Sequence, residues 1–239
     1  MNQTNGWIGR RSFLNLTGAG GMALVAASAG SAFWSMKLEQ AIASPVLEPL
    51  SPDAALKRLM DGNQRFVKQK SKHPDQSKAR LKEVAQAQHP FATVLSCADS
   101  RVAPEILFDE GIGDLFDIRV AGNIVIPEVL GSIEYAVDIL GTPVLMVLGH
   151  ERCGAVTAAV QGERLPGHIG SFVKAIKPAI SRTKGQPGDP VDNAVIANVQ
   201  YQIEKLKRSS TILSERSQDG KLKIVGGRYD LDSGEVILI

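Results

Sequence analysis

Apolar positions between residues 51 and 239 follow two rhythms, one at helical spacing and one in short unbroken runs, and the two alternate along the chain. Ser51-Pro52-Asp53 opens the first helical stretch with a capping hydroxyl, a proline at the first helical position and an early carboxylate near the positive helix end. Leu56, Leu59, Met60, Asn63, Phe66 and Val67 then share one face, while Lys57, Arg58, Arg65 and Lys68 form a solvated remainder. Residues 70–75 read as loop and 79–87 as a second short helix. Phe91-Ala92-Thr93-Val94-Leu95 is a buried-strand run bounded by Pro90. A second strand, 115–120, follows the glycine turn Gly111-Ile112-Gly113. The spacing predicts a helix over 129–140 that turns Ile133, Ala136, Val137 and Leu140 to the core and stops at Gly141. Pro143-Val144-Leu145-Met146-Val147-Leu148-Gly149 is apolar throughout, as a parallel strand covered on both faces should be. A small-residue helix to about residue 160, helices over 169–180 and 191–207, and strands at 222–225 and 235–239 complete the pattern. The 191–207 helix carries Val195, Val199, Ile203 and Leu206 as its stripe; 165–170 and 184–190 are loops, and 230–234 is the turn of a terminal hairpin. This order predicts an α/β fold, a mostly parallel central sheet flanked by helices.

Chemistry-bearing residues collect where the predicted strands end. The chain has two cysteines, one in Ser96-Cys97-Ala98-Asp99-Ser100-Arg101 and one in His150-Glu151-Arg152-Cys153. Each segment follows a strand, and in open parallel sheets ligand sites gather outside the carboxyl edge. Two thiolates and an imidazole are donors suited to zinc, one short of tetrahedral closure, as in catalytic sites that keep a position for water. A disulfide, or two unrelated buried thiols, is the alternative. Asp99 and Arg101 read either as a functional dyad or as an ion pair at a strand end. His73, His89 and His168 stand alone and receive no role, and Arg119 reads as an ion-pair residue of the core or of a subunit interface.

Composition narrows the function classes. With 239 residues, 44% apolar content and net charge +2, the chain fits one globular domain with an additional leading segment. The charge is too small, and the 5% aromatic content too sparse, for a nucleic-acid partner. In front, Gly9-Arg10-Arg11-Ser12-Phe13-Leu14 precedes an almost uncharged Gly/Ala/Ser-rich run and a small-residue exit at Ala41-Ile42-Ala43. Residues 1–43 are therefore expected to be an export signal resembling the twin-arginine type, leading to the periplasm, with 44–239 as the mature domain. A membrane becomes a partner only if the signal stays on as an anchor. The twin-arginine route carries folded proteins, so a metal could be loaded before the thiols meet an oxidising compartment.

Cys97-Ala98-Asp99-Ser100-Arg101 with His150-x-x-Cys153 resembles the signature of β-class carbonic anhydrases, and Leu115-Phe116-Asp117-Ile118-Arg119-Val120-Ala121-Gly122-Asn123 and Glu134-Tyr135-Ala136-Val137-Asp138 resemble further segments of that family. The resemblance runs from about Ser51 to the C-terminus. It implies one zinc ion per subunit held by Cys97, His150 and Cys153, and reversible hydration of carbon dioxide to bicarbonate by zinc-bound hydroxide. Asp99 matches the carboxylate that either pairs with Arg101, leaving zinc open, or becomes a fourth ligand in a closed state. Gln88, Phe116 and Tyr135 match substrate-pocket positions of the plant-like members, and Gly154 matches the residue whose N–H points at substrate. Val94 stands where members with bicarbonate-controlled closure carry tryptophan, which with Gln88 favours an open site. The family also implies a homodimer or higher homo-oligomer, with the N-terminal helix packing on a partner subunit. A hydrolase of carbonyl sulfide or carbon disulfide on the same scaffold is the alternative function, and a zinc-dependent binding protein without turnover is a more distant one that the Asp99–Arg101 dyad disfavours.

Overall fold

The structure is a computed structural model that describes residues 50–162 and 165–239; the expected export signal at 1–43 and its boundary lie outside the described residues. A five-stranded sheet runs β2-β1-β3-β4-β5. Its strands are β1 (Ala92–Ser96), β2 (Leu115–Arg119), β3 (Val144–His150), β4 (Lys223–Tyr229) and β5 (Val236–Leu238). The first four are parallel, and β5 returns antiparallel to β4 with Gly227 opposite Leu238. Helices α1 (Pro52–Val67), α2 (Lys78–Val84), α3 (Pro104–Leu107), α4 (Pro127–Glu134), α5 (Gly154–Gln161), α6 (Gly170–Ile180), α7 (Pro190–Ser209) and α8 (Thr211–Gln218) surround it. This is the expected mostly parallel sheet flanked by helices. Among the described residues no helix is long and apolar enough to cross a membrane.

Every residue of β1 and β3 is buried, which explains why both read as continuous apolar runs. On one face Ala92, Val94, Val144, Met146 and Leu148 pack with Ala55 and Leu59 of α1 and with Leu107 and Phe108. On the other, Leu95, Leu145 and Val147 pack with Val129 and Ile133 of α4, Val199 and Leu206 of α7, and Leu213 of α8. Helix α7 lies close on the sheet because β3 and β4 carry glycines beneath it. A Cβ on Gly149 would fall 2.6 Å from Val199 Cγ2, and one on Gly226 would fall 2.8 Å from Val199 Cγ1.

Several elements differ from the sequence expectation for identifiable reasons. Strand β4 runs on through Gly226 and Gly227 to Tyr229, because these glycines make room for α7 and β5 and do not break the strand. The 129–140 helix is regular to Glu134 and then widens into a π turn over Tyr135–Ile139. There the N–H and hydroxyl of Thr142 both donate to the Ala136 carbonyl, at 3.0 and 3.1 Å, and draw the last turn outward. Gly141, at φ +73°, is the expected stop. Helices α3 and α8 were absent from the periodic reading: α3 is a single turn started by Pro104, and α8 is mostly polar and rests on a cap, Ser210 Oγ accepting from the Leu213 N–H at 3.2 Å.

Asn63 lies in the apolar stripe of α1 and is fully buried. Its amide donates to the carbonyls of Leu107 (3.1 Å) and Gly234 (2.9 Å), and its oxygen accepts from the Val236 N–H (2.8 Å). One side chain thus joins α1 to α3 and to the terminal hairpin. Asn63→Leu removes three bonds and leaves three buried backbone groups unpaired, so it should lower stability by about 2–4 kcal/mol. Urea unfolding checks this as a fall in midpoint at an unchanged slope.

Candidate metal centre

The chain passes from β1 to β2 on one side of β1 and then to β3 on the other. This reversal opens a crevice at the carboxyl ends of β1 and β3. Cys97 follows β1 directly, and His150 is the last residue of β3. Arg152, at φ +50°, bends the chain so that Cys153 returns to the same crevice as the N-cap of α5. The donor atoms of Cys97, His150 and Cys153 all lie within 4.8 Å of one another, and all three residues are buried. The sulfurs are 3.9 Å apart and unbonded, far beyond the roughly 2.05 Å of a disulfide. The disulfide alternative is thereby removed.

His150 Nδ1 sits 2.9 Å from the Glu151 carbonyl oxygen, which can only accept, so Nδ1 carries the proton. Nε2 is left with a lone pair, buried and without any partner. An orphaned imidazole nitrogen facing two sulfurs is the arrangement a borderline-soft cation would complete. The two thiols share their protons unequally. A hydrogen bond from Cys153 lowers the Cys97 pKa to about 4, with the Gly122 N–H assisting. The charge that this places on Cys97, together with burial, pushes the Cys153 thiol well up. Binding a cation with both sulfurs therefore releases one further proton.

Beside the donors, Arg101 grips Asp99 at both oxygens: Nε to Oδ1 at 2.9 Å, a terminal nitrogen to Oδ2 at 2.8 Å, and the Arg101 N–H to Oδ1 at 3.0 Å. The Asp99 Oδ2 remains 3.9 Å from His150 Nε2. Arg119, expected to form an ion pair, instead donates to the carbonyls of Cys97 (3.2 Å) and Asp99 (2.6 Å), fixing the path of the Cys97 loop. Its position two residues after Asp117 on an edge strand gave no sign of this, since backbone acceptors leave no trace in side-chain spacing. The Gly122 N–H points at Cys97 Sγ from 3.4 Å. Gly154 opens α5, and the space beside its Cα is free.

The expected pocket positions fall elsewhere in the chain. Phe116 lies in the middle of β2 and Tyr135 begins the π turn; their rings are tilted against each other with centroids 6.2 Å apart. Tyr135 is 45% exposed and so is not a core residue. Gln88 is exposed in the segment leading to β1. Within one chain, Cys97, His150, Cys153, Asp99 and Arg101 come together, Phe116 meets Tyr135, and no hydrogen bond or ring contact joins Gln88, Phe116 or Tyr135 to the donors among the described residues.

Sheet order and donor set together define an α/β protein with a Cys–His–Cys metal-type centre at the switch point of a parallel sheet. The family model described as carbonic anhydrase matches residues 92–236. Carbonic anhydrase 2 of Mycobacterium tuberculosis is 42% identical over 192 residues, covering 79% of this chain and 93% of that protein. The solved β-carbonic anhydrase CcaA superposes with a TM-score of 0.62 at 26% identity, over 77% of this chain and 86% of the other. A tetrameric β-carbonic anhydrase of Sordaria macrospora shares the fold, with a TM-score of 0.63 at 22% identity over 77% and 96% of the two chains. The chain belongs to the carbonic anhydrase family, in its β class, and is an enzyme of that family.

Asp99 titrates well below the ordinary carboxylate value of about 3.9, chiefly because Arg101 hydrogen-bonds and neutralises its anion. A folded-state pKa lowered in this way contributes stability that is present above the unfolded value and lost as pH falls through the folded one. Arg101→Gln should return the Asp99 pKa toward 3.9, and carbon-13 titration of the carboxyl group in both proteins is the measurement.

Proposed function

We propose that the chain catalyses the reversible hydration of carbon dioxide to bicarbonate and a proton, with one zinc ion per subunit held by Cys97, His150 and Cys153. The observation that carries this reading is the buried, partnerless His150 Nε2 facing two sulfurs, next to a carboxylate engaged by arginine. Zinc, when bound, supplies Lewis acidity and an acidified water at neutral pH.

The chain's own residues supply orientation. Arg101 occupies both Asp99 oxygens, and Asp99 is not one of the three residues whose donor atoms cluster, which supports the open state. Held there as an anion, Asp99 accepts a hydrogen bond from the attacking O–H and directs the oxygen lone pair at the carbon of carbon dioxide. The Gly154 N–H at the start of α5 is a donor for a substrate oxygen, favoured by the positive helix end. Gln88, Phe116 and Tyr135 complete the pocket in this reading. Their separation from the donors in one chain favours a pocket shared between subunits of a homodimer or larger assembly, with α1 packing on the partner. An export signal at 1–43 places the reaction in the periplasm; cell fractionation tests that part by itself.

Stopped-flow hydration of carbon dioxide, referenced to bound zinc, tests the activity. Fast zinc-dependent turnover is expected. Asp99→Asn, which keeps the metal donors, should retain zinc and lose roughly 10²-fold or more in kcat. Full zinc with release of sulfide from carbonyl sulfide but no hydration of carbon dioxide would overturn the substrate assignment.

A further inference from the structure

From the Cys97 sulfur a polar chain runs through otherwise apolar packing. Its start is the Gly122 N–H on Cys97 Sγ. The Gly122 carbonyl accepts from Asn198 Nδ2 at 2.9 Å, and Asn198 Oδ1 accepts from Gln202 Nε2, one helical turn on along α7, at 3.0 Å. Gln202 Oε1 in turn accepts from the Val125 N–H at 2.9 Å, and Lys205 Nζ donates to the Val125 carbonyl at 2.7 Å. Asn198 and Gln202 are 1% and 0% exposed. Backbone groups anchor both ends of the amide pair, a carbonyl at one and an N–H at the other, so the two amides can satisfy the chain in one orientation only.

The segment held this way has little freedom to change. Gly122 adopts φ +72°, and a Cβ there would lie 2.7 Å from Ile176 Cδ1. Asn123, next in line, also has positive φ, at 44°. Left-handed residues in succession need outside restraint to persist. The amide pair on α7 provides it, and what it restrains is the peptide whose N–H meets a ligand sulfur.

We propose that Asn198 and Gln202 are positioning residues of the metal centre, which hold the Gly122 N–H on Cys97 and so set how much charge that sulfur donates. This rests on the metal reading given above. An N–H directed at a thiolate withdraws electron density from it, leaving a weaker donor and a more electron-poor cation. Loss of the restraint makes Cys97 a stronger donor while loosening its placement.

Cobalt(II) in place of zinc gives a readout apart from activity, the thiolate-to-cobalt charge-transfer absorption. Asn198→Ala and Gln202→Glu are the test variants. The second keeps an acceptor for the Val125 N–H and, above the carboxyl pKa, presents an acceptor in place of the donor to Asn198, so with the band read as a function of pH it carries the test if Asn198→Ala fails to fold. Leu206→Ala, a buried apolar truncation on the same helix, controls for destabilisation alone. The charge-transfer band should move to lower energy, cobalt affinity by chelator competition should fall about 10-fold or more, and the alkaline midpoint of the kcat–pH profile of the zinc enzyme should rise in the test variants. Leu206→Ala should leave band and midpoint where they are. Test variants with the parental band and midpoint, or a control that moves both equally, would overturn the assignment while leaving the metal reading intact. A parental cobalt protein with no thiolate band would overturn both.

Discussion

Everything at the centre depends on the parallel pairing of β1 with β3. Ser96 sits opposite Leu148, so the chain leaves β1 at Cys97 beside the Gly149-His150 end of its neighbour. Two ligand groups separated by more than fifty positions meet because two apolar strands are in register. Register in a sheet buried on both faces is held by packing on each side, and a slip of one residue would exchange the side chains of its two cores. The position of His150 relative to Cys97 is therefore as rigid as the core. Cys153 has a different origin: it is brought back by the left-handed Arg152 and fixed as the N-cap of α5.

The electrostatics follow from that placement. Burying an anionic sulfur is unfavourable unless donors surround it. Cys97 receives the Gly122 N–H and the Cys153 thiol, and Cys153 stands at the positive end of α5. Arg119 stabilises the loop through its carbonyls and leaves the sulfurs untouched. Arg101 stands on the solvent side and is committed to Asp99. Positive charge is thus kept off the donor atoms themselves.

The sequence disclosed the parts of this arrangement that repeat or that use scarce residues. Buried strands announced themselves as apolar runs, and the cysteine and histidine spacing led to the donors. The widened turn at Tyr135–Ile139 was hidden because it arises from a tertiary bond, Thr142 to the Ala136 carbonyl, in a segment whose apolar spacing is still helical. The continuation of β4 was hidden because glycine pairs signal breaks, yet here they admit α7. Arg119, Asn198 and Gln202 were hidden for a common reason. Each acts on backbone or on another amide, and such contacts impose no periodicity on the sequence.

The same features bear on folding. The centre contains a buried imidazole nitrogen with no hydrogen-bond partner and a thiol pair that shares one proton. The unpartnered nitrogen is unfavourable in the native state, since water solvates it in the unfolded chain, whereas the lowered Cys97 pKa favours the fold at neutral pH and the raised Cys153 pKa opposes it only above its unfolded value. A cation that takes the lone pair removes that penalty and displaces the proton the thiols share. Its binding energy is then partly energy of folding, and the link strengthens as pH rises because binding displaces the shared proton. The polar chain from α7 and the Arg119 clamp keep the donors converged before the cation arrives. Their hydrogen bonds to backbone and to buried amides account for the polar contacts that surround three side chains making almost none with one another.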